Sequence, residues 1–372
     1  IDIVDASLQP AFCDFDGDGD LDLYLLTYRL YHPRGGPSES PIEQVDGKLV
    51  VKEEYQKYFG IIDVGDGRPR LRPVGRPDRL LLNEGGRFTD VSQRAGIAGT
   101  GFGNSATWWD YNDDDWPDLY IGNDLNDDDR LYRNNGDGTF TNTIAEAVPH
   151  SSWFSMGADV ADFDGDGRLD FLIADMSATT HFMQKTTMGA MGSSQREMER
   201  KRPHQYMRNA LYLSGADRFR EAAYLAGLAD TDWILAVKAS DVNNDGRCDV
   251  FFTNGMTRSF NDSDHRADPG SRARMTEWDA YADAPIRRER NLVFAGRGDL
   301  QFEDVSHQWG LSHEGVSGPA AYGDLDGDGD LDLVVVNVDE PVSVYRNHTN
   351  DDQWLRIALR GRLSNRFGIG AK

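Results

Sequence analysis

A nine-residue acidic loop that returns five times limits what this chain can fold into more than any other feature. The copies are "DFDGDGDLD" from Asp14, "DYNDDDWPD" from Asp110, "DFDGDGRLD" from Asp162, "DVNNDGRCD" from Asp241 and "DLDGDGDLD" from Asp324. Their starts are 96, 52, 79 and 83 residues apart. An apolar, strand-like run follows each loop ("LYLL", "LYI", "FLI", "VFF", "LVVV"), and small or apolar residues precede each ("SATWW", "MGADVA", "ILAVKAS", "GPAAYG"). A unit that recurs at this scale signals a repeat architecture.

A second element recurs in step. "RLLLNEGGRFTDV" (79–91), "RLYRNNGDGTFTN" (130–142), "ALYLSGADRFREA" (210–222) and "LVFAGRGDLQFEDV" (292–305) read as strand, Gly-rich turn, strand, and "SVYRNH" (343–348) begins a fifth. Apolar runs flanking a Gly turn are a hairpin signal. One unit is therefore strand, acidic loop, strand, connection, strand, turn, strand. Four antiparallel strands per unit of about 50 residues, repeated radially, describe an all-β chain folded as a β-propeller of four-stranded blades. About five blades are visible, each with its acidic loop between the first and second strands. A β-sandwich would not repeat loop and hairpin in register.

The loop chemistry points to calcium. With loop positions numbered 1 to 9, positions 1, 3, 5 and 9 are Asp or Asn in every copy. Hard cations take six to eight oxygens from carboxylates, amides, backbone carbonyls and water. The candidate ligands are Asp14, Asp16, Asp18, Asp20 and Asp22; Asp110, Asn112, Asp114, Trp116 and Asp118; Asp162, Asp164, Asp166, Arg168 and Asp170; Asp241, Asn243, Asp245, Arg247 and Asp249; and Asp324, Asp326, Asp328, Asp330 and Asp332. Position 7 (Asp20, Trp116, Arg168, Arg247, Asp330) offers its carbonyl oxygen. Position 6 is Gly in four copies, which permits positive φ; Asp115 stands there in the second loop, the least favourable of the five. An EF-hand needs a bidentate Glu at position 12 between helices. Here position 12 is Leu25, Ile121, Ile173, Phe252 or Val335, inside strand-like runs, so the aspartate at position 9 takes that role. Magnesium, with its stricter octahedral demand, fits less well. About five structural calcium ions are expected.

The composition agrees. The five loops hold 22 of the 63 acidic residues, and five divalent ions would bring the net charge from −24 to about −14. So acidic a chain is not built for nucleic acid, which needs a basic footprint. No apolar run approaches a membrane span. The opening "IDIVDASLQPAF" and closing "SNRFGIGAK" read as parts of a longer chain, so a missing signal peptide carries no weight. Cys248 fills loop position 8, where Leu21, Leu169 and Leu331 stand in other copies, and Cys13 precedes loop 1. The two belong to different blades, which argues against a disulfide.

The loops together with "LYRNNGDGTF" resemble the FG-GAP/VCBS repeats of integrin α-subunit propellers and many secreted bacterial proteins, and most of all the cartilage-acidic-protein-like group. In that group an ASPIC/UnbV domain follows the repeats, and "WLRIALRGRLSNRFGIGAK" (354–372) is similar to its opening. The resemblance implies a propeller over 1–350, the start of ASPIC/UnbV over 351–372, seven blades when complete, calcium in the loops, and an extracellular, cell-surface or periplasmic place.

Specific activity should lie elsewhere. Long insertions fall near 27–77, 176–208 and 256–290, all after second strands and so on the rim opposite the acidic loops. The second is Met-rich and basic; the third mixes Asp, His, Arg, Trp and Tyr. The leading expectation is a calcium-stabilised adhesion scaffold for a protein or glycan ligand on that face. The alternative is a carbohydrate-active enzyme, lyase- or dehydratase-like, using His181, His204, His265, Asp262, Asp264 and Arg287. No G-x-S-x-G, H-E-x-x-H or nucleotide-binding loop is present to support catalysis.

Overall fold

The computed structural model describes residues 5–32, 37, 39–63, 69–97, 99–124, 127–187, 202–216, 218–259, 262, 282–349 and 357–361. It is a five-bladed β-propeller. Blade 1 is Ser7–Cys13, Asp22–Thr27, Arg79–Glu84 and Arg87–Asp90. Blade 2 is Gly103–Trp109, Asp118–Asn123, Arg130–Asn134 and Phe140–Asn142. Blade 3 is Gly157–Ala161, Asp170–Ala174, Ala210–Leu213 and Arg220–Glu221. Blade 4 is Ile234–Ser240, Asp249–Asn254, Leu292–Gly296 and Phe302–Asp304. Blade 5 has three strands among the described residues: Ser317–Gly323, Asp332–Asn337 and Ser343–Tyr345. Within every blade the strands lie in chain order and pair antiparallel.

Burial explains the sequence pattern. In blades 2 to 4 the second strands are covered by neighbouring blades on both faces, so they read as continuous apolar runs, whereas in blade 5 Val336 is exposed. Asp118–Asn123 and Asp249–Asn254 are buried at every position. The core lies between blades. Phe171 of blade 3 packs against Trp109 and Tyr120 of blade 2 and against Tyr212 and Phe219 of its own blade, with ring centroids 4.6–5.5 Å apart. First strands pack side by side, and their small residues permit the close approach. A Cβ on Gly157 would sit 3.3 Å from the Val237 nitrogen of the next blade. Polar links tie these strands: Gln9 exchanges hydrogen bonds with Ala106, and Asp159 accepts from the Ala239 amide at 3.0 Å and from Lys238 at 3.3 Å.

The insertions leave from the ends of second strands, away from the acidic loops. The first builds two hairpins, Ile42–Val45 with Lys48–Val51 and Phe59–Asp63 with Pro69–Pro73. The second contributes a helix, His181–Thr187, and a strand, His204–Tyr206, parallel to His150–Ser152. All three insertions meet far-rim segments. Arg72 pairs with Asp127 at 3.2 Å, Gln205 reaches the Asp127 and Ser152 carbonyls, and Arg287 approaches the Met183 sulfur at 3.1 Å. No helix among the described residues is long and apolar enough to cross a membrane. The expected second domain, 351–372, lies outside the described residues except for 357–361.

Candidate metal centres

All five acidic loops adopt one backbone. Position 6 has positive φ throughout: Gly19, Asp115, Gly167, Gly246 and Gly329 lie between 69° and 95°. Asp115, the least favourable residue by sequence, keeps the loop geometry at φ 69°. Position 4 is left-handed as well, at Gly17, Asp113, Gly165, Asn244 and Gly327. The sequence reading missed this position, although Gly, Asp and Asn are the residues that tolerate it.

Two successive left-handed kinks fold the loop into a cup of oxygen atoms. Position 5 carboxylates accept the position 7 amide in every loop: Asp18 from Asp20 at 2.8 Å, Asp114 from Trp116 at 3.0 Å, Asp166 from Arg168 at 2.9 Å, Asp245 from Arg247 at 3.0 Å and Asp328 from Asp330 at 3.1 Å. Position 1 accepts the position 6 amide in loops 1 to 4, at 2.8–3.1 Å. Carboxylate oxygens of Asp14, Asp16 and Asp18 come within 4.8 Å of one another, as do those of Asp162, Asp164 and Asp170, and of Asp324, Asp326 and Asp328. In loops 2 and 4 the third position is Asn112 or Asn243, whose amide nitrogen donates to Asp114 at 2.8 Å or Asp245 at 3.2 Å.

Position 9 closes each loop and joins it to the blade. One oxygen accepts the position 2 amide: Asp22 from Phe15, Asp118 from Tyr111, Asp170 from Phe163, Asp249 from Val242 and Asp332 from Leu325, at 3.0–3.2 Å. The other accepts an amide near the end of the third strand: Asn83, Asn134, Ser214, Gly296 or Asn347, at 2.7–2.9 Å. These aspartates are buried. Burial pushes Asp22, Asp118 and Asp170 up to about 7 and Asp249 to about 6, and the neighbouring loop carboxylates add to the rise. Asp14, Asp16 and Asp110 are also raised, again mainly by burial.

The donor set fits a hard cation. Asp14 is fully buried, yet its Oδ1 has no hydrogen-bond partner. Such an oxygen is costly unless something positive faces it. Side chains at positions 1, 3, 5 and 9, with the position 7 carbonyl, would hold the ion. Three loops already carry a guanidinium: Arg168 on Asp166 at 2.8 Å, Arg247 on Asp245 at 3.4 Å, and Arg346 on Asp326 at 2.6 Å and Asp328 at 3.3 Å.

The far rim has a matching device that sequence reasoning overlooked. The residue just before the third strand accepts the amide at the end of the second: Asp78 from Thr27, Asp129 from Asn123, Asn209 from Asp175 and Asn291 from Asn254, at 2.7–2.9 Å. The signal was present as a recurring Asp or Asn in "DRLLL", "DRLYR", "NALYL" and "NLVF". A polar cluster on blade 3 was also missed. Arg208 donates to His150 at 2.9 Å and pairs with Glu221 at 3.1 Å, and both arginine and histidine contact Tyr206. Among the described residues, those of the enzyme alternative have separate contacts. His204 contacts Arg202, His181 begins an exposed helical turn, the Asp262 amide bonds the Ser259 carbonyl, and Arg287 lies 4.0 Å from Glu289. Asp264 and His265 lie outside the described residues.

Cys13 and Cys248 are both free thiols, in blades 1 and 4. Burial raises both well above the ordinary thiol range.

The FG-GAP-like repeat profile matches residues 110–173, which include loops 2 and 3. Cartilage acidic protein 1 of Mus musculus is 27% identical over 97% of this chain and 53% of its own length. The Homo sapiens protein is 26% identical over 97% of this chain and 52% of its own, and the Xenopus tropicalis protein 26% over 68% and 32%. The chain thus spans about half the length, or less, of the curated relatives it matches. Among solved structures, the Photorhabdus luminescens Tc holotoxin pore aligns with 94% of this chain and 14% of its own at 14% identity and TM-score 0.34. BBS1N in complex with ARL6DN aligns with 77% of this chain and 78% of its own at 10% identity and TM-score 0.31. Both are too remote to bear on function. The chain is a five-bladed β-propeller that carries FG-GAP-like repeats and is homologous to cartilage acidic protein 1.

Proposed function

We propose that this chain is a calcium-stabilised propeller that works outside the cytosol as a recognition or adhesion scaffold. Its calcium sits in the five loops, and a protein or glycan ligand is taken by the insertion-bearing rim. The observation that carries the calcium reading is the buried Asp14 oxygen without a hydrogen-bond partner, in a loop whose doubly kinked backbone recurs in all five copies. When bound, the ion supplies charge neutralisation, and the loop residues supply a preformed cup. Modules of extracellular type bind calcium with a Kd of roughly 10⁻⁴–10⁻³ M. At about ten times Kd, each site adds on the order of 1.4 kcal/mol. Summed over five sites, that is comparable with the whole stability of an ordinary domain, about 5–15 kcal/mol.

Thermal unfolding with and without chelator tests this reading. A fall in Tm and faster proteolysis after chelation are expected, both reversed by calcium and not by magnesium. An unchanged Tm would end it. A glycan array and a protein-partner screen, each run on the calcium-loaded protein, test the recognition role. A ligand whose binding survives exchange of the exposed insertion residues would move the site off that rim.

A further inference from the structure

Cation loops of adjacent blades are linked by hydrogen bonds in some places and not in others. In loop 1 the Phe15 amide bonds Asp22 at 3.2 Å, and the Phe15 carbonyl accepts from Asn134 Nδ2 at 2.8 Å. Asn134 belongs to blade 2. Its own amide bonds Asp118 of loop 2 at 2.7 Å, and its Nδ2 also reaches the Pro117 carbonyl at 3.2 Å. The side-chain orientation is fixed, because Asn134 Oδ1 accepts the Gly136 amide at 3.0 Å. An unbroken path therefore runs Asp22–Phe15–Asn134–Asp118.

Blades 4 and 5 repeat it. The Val242 amide bonds Asp249 at 3.0 Å, the Val242 carbonyl accepts from Asn347 Nδ2 at 2.7 Å, and the Asn347 amide bonds Asp332 at 2.8 Å. Asn347 Oδ1 is fixed by the Thr349 amide at 3.1 Å. A second strut joins the same loops, from Asn244 Nδ2 to Asp330 Oδ1 at 2.9 Å.

Blades 3 and 4 supply an internal control. Their residues in the Asn134 slot are Ser214 and Gly296. Ser214 spends its hydroxyl on the Leu169 carbonyl of its own loop, and Gly296 has no side chain. Neither makes the cross-blade bond.

We propose that Asn134 and Asn347 are positioning residues that couple neighbouring cation loops, so that loops 1 and 2 fill as one pair, loops 4 and 5 as another, and loop 3 alone. The proposal rests on the calcium reading above. Ordering position 9 in one loop holds the amide of position 2, and the carbonyl of that same residue, in the following peptide unit, holds the asparagine that orders position 9 of the next loop. A ligand that pre-orders a neighbouring site lowers the ordering cost there, which is positive cooperativity.

The test is a calcium titration of the protein followed by the amide resonances of Gly19, Asp115 and Gly167, which report loops 1, 2 and 3 separately. Loops 1 and 2 should share one steep transition, with loop 3 apart. Asn134→Ser, which imports the blade 3 residue, should split the pair and weaken calcium in both loops by about fivefold or more. Ser214→Asn should draw loop 3 into the transition of loop 2, and it reads out the coupling even if Asn134→Ser fails to fold. Unchanged midpoints and steepness in folded Asn134→Ser, or loop 3 still separate in Ser214→Asn, would overturn the coupling while leaving calcium binding intact. No response of any loop to calcium would instead overturn the underlying calcium reading, and the coupling with it.

Discussion

Asp22 and Asn83 are 61 residues apart in sequence, and the Asn83 amide is bonded to Asp22 Oδ1 at 2.8 Å. This contact, repeated in each blade, fastens the acidic loop to the third strand. The position 9 aspartate is thus a structural anchor as well as a candidate ligand. Asp118→Asn tests the anchor with little change of shape. The amide retains one acceptor oxygen but turns a donor towards the Tyr111 or Asn134 amide. Leaving one buried N–H unpaired costs about 1–3 kcal/mol. Urea unfolding in excess chelator at pH 5, where the buried acid is mostly protonated and no charge penalty is relieved, should show a destabilisation of at most about that size.

The far-rim anchors predict a pH effect. Burial is the main cause that pushes Asp129 up to about 7, with Asp175 repelling it, while the Asn123 amide and the Ser155 and Tyr120 hydroxyls partly offset the rise. An unfolded aspartate titrates near 3.9. The folded value is the higher one, so the fold favours the protonated acid. Its contribution is fully present below about pH 4 and is lost as pH climbs through about 7. Asp129→Asn should remove this dependence without breaking the anchor, because Asn209 and Asn291 do the same work in blades 3 and 4. Denaturant midpoints measured from pH 4 to 8 should fall less steeply in the variant. An equally steep fall would exclude Asp129 as a source.

The blade count, strand order and loop placement were legible because each rests on a local pattern repeated in register. The apolar runs after the acidic loops read as strands leaving an acidic turn, and in blades 2 to 4 burial between blades makes them continuous rather than alternating. The far-rim anchors Asp78, Asp129, Asn209 and Asn291 were harder to see. Asp and Asn look alike at loop ends, and what distinguishes these four is a partner 34–51 residues away in blades 1, 3 and 4 and only six away in blade 2. The cross-blade role of Asn134 was hidden for the same reason: its partner Phe15 is 119 residues distant.

The inter-blade core predicts a large cost at one site. Phe171 is fully buried and meets four aromatic rings, two of them on blade 2. Phe171→Ala removes the ring and leaves a cavity that a twisted sheet on each side cannot collapse into. A loss of about 3–5 kcal/mol is expected. Phe182, exposed on the insertion rim, is the control, and Phe182→Ala should change the unfolding midpoint little. Equal effects of the two would argue that blades 2 and 3 do not share a cooperative core.

Loop 5 should depend on calcium least. Arg346 lies between Asp326 and Asp328, at 2.6 and 3.3 Å, and already neutralises two carboxylates that an ion would otherwise neutralise. Loop 1 carries no such guanidinium among the described residues, and its Asp14 Oδ1 has no partner. Arg346 is mostly exposed, so its attraction is screened and worth little in stability by itself. Its effect is competitive: an entering cation must displace it. Arg346→Gln should therefore tighten calcium at loop 5 and enlarge the fall in Tm on chelation. The Asp330 amide, followed during a calcium titration, reports loop 5 directly. A midpoint that stays put, or moves to higher calcium, would mean that the arginine supports the cation site rather than competing with it.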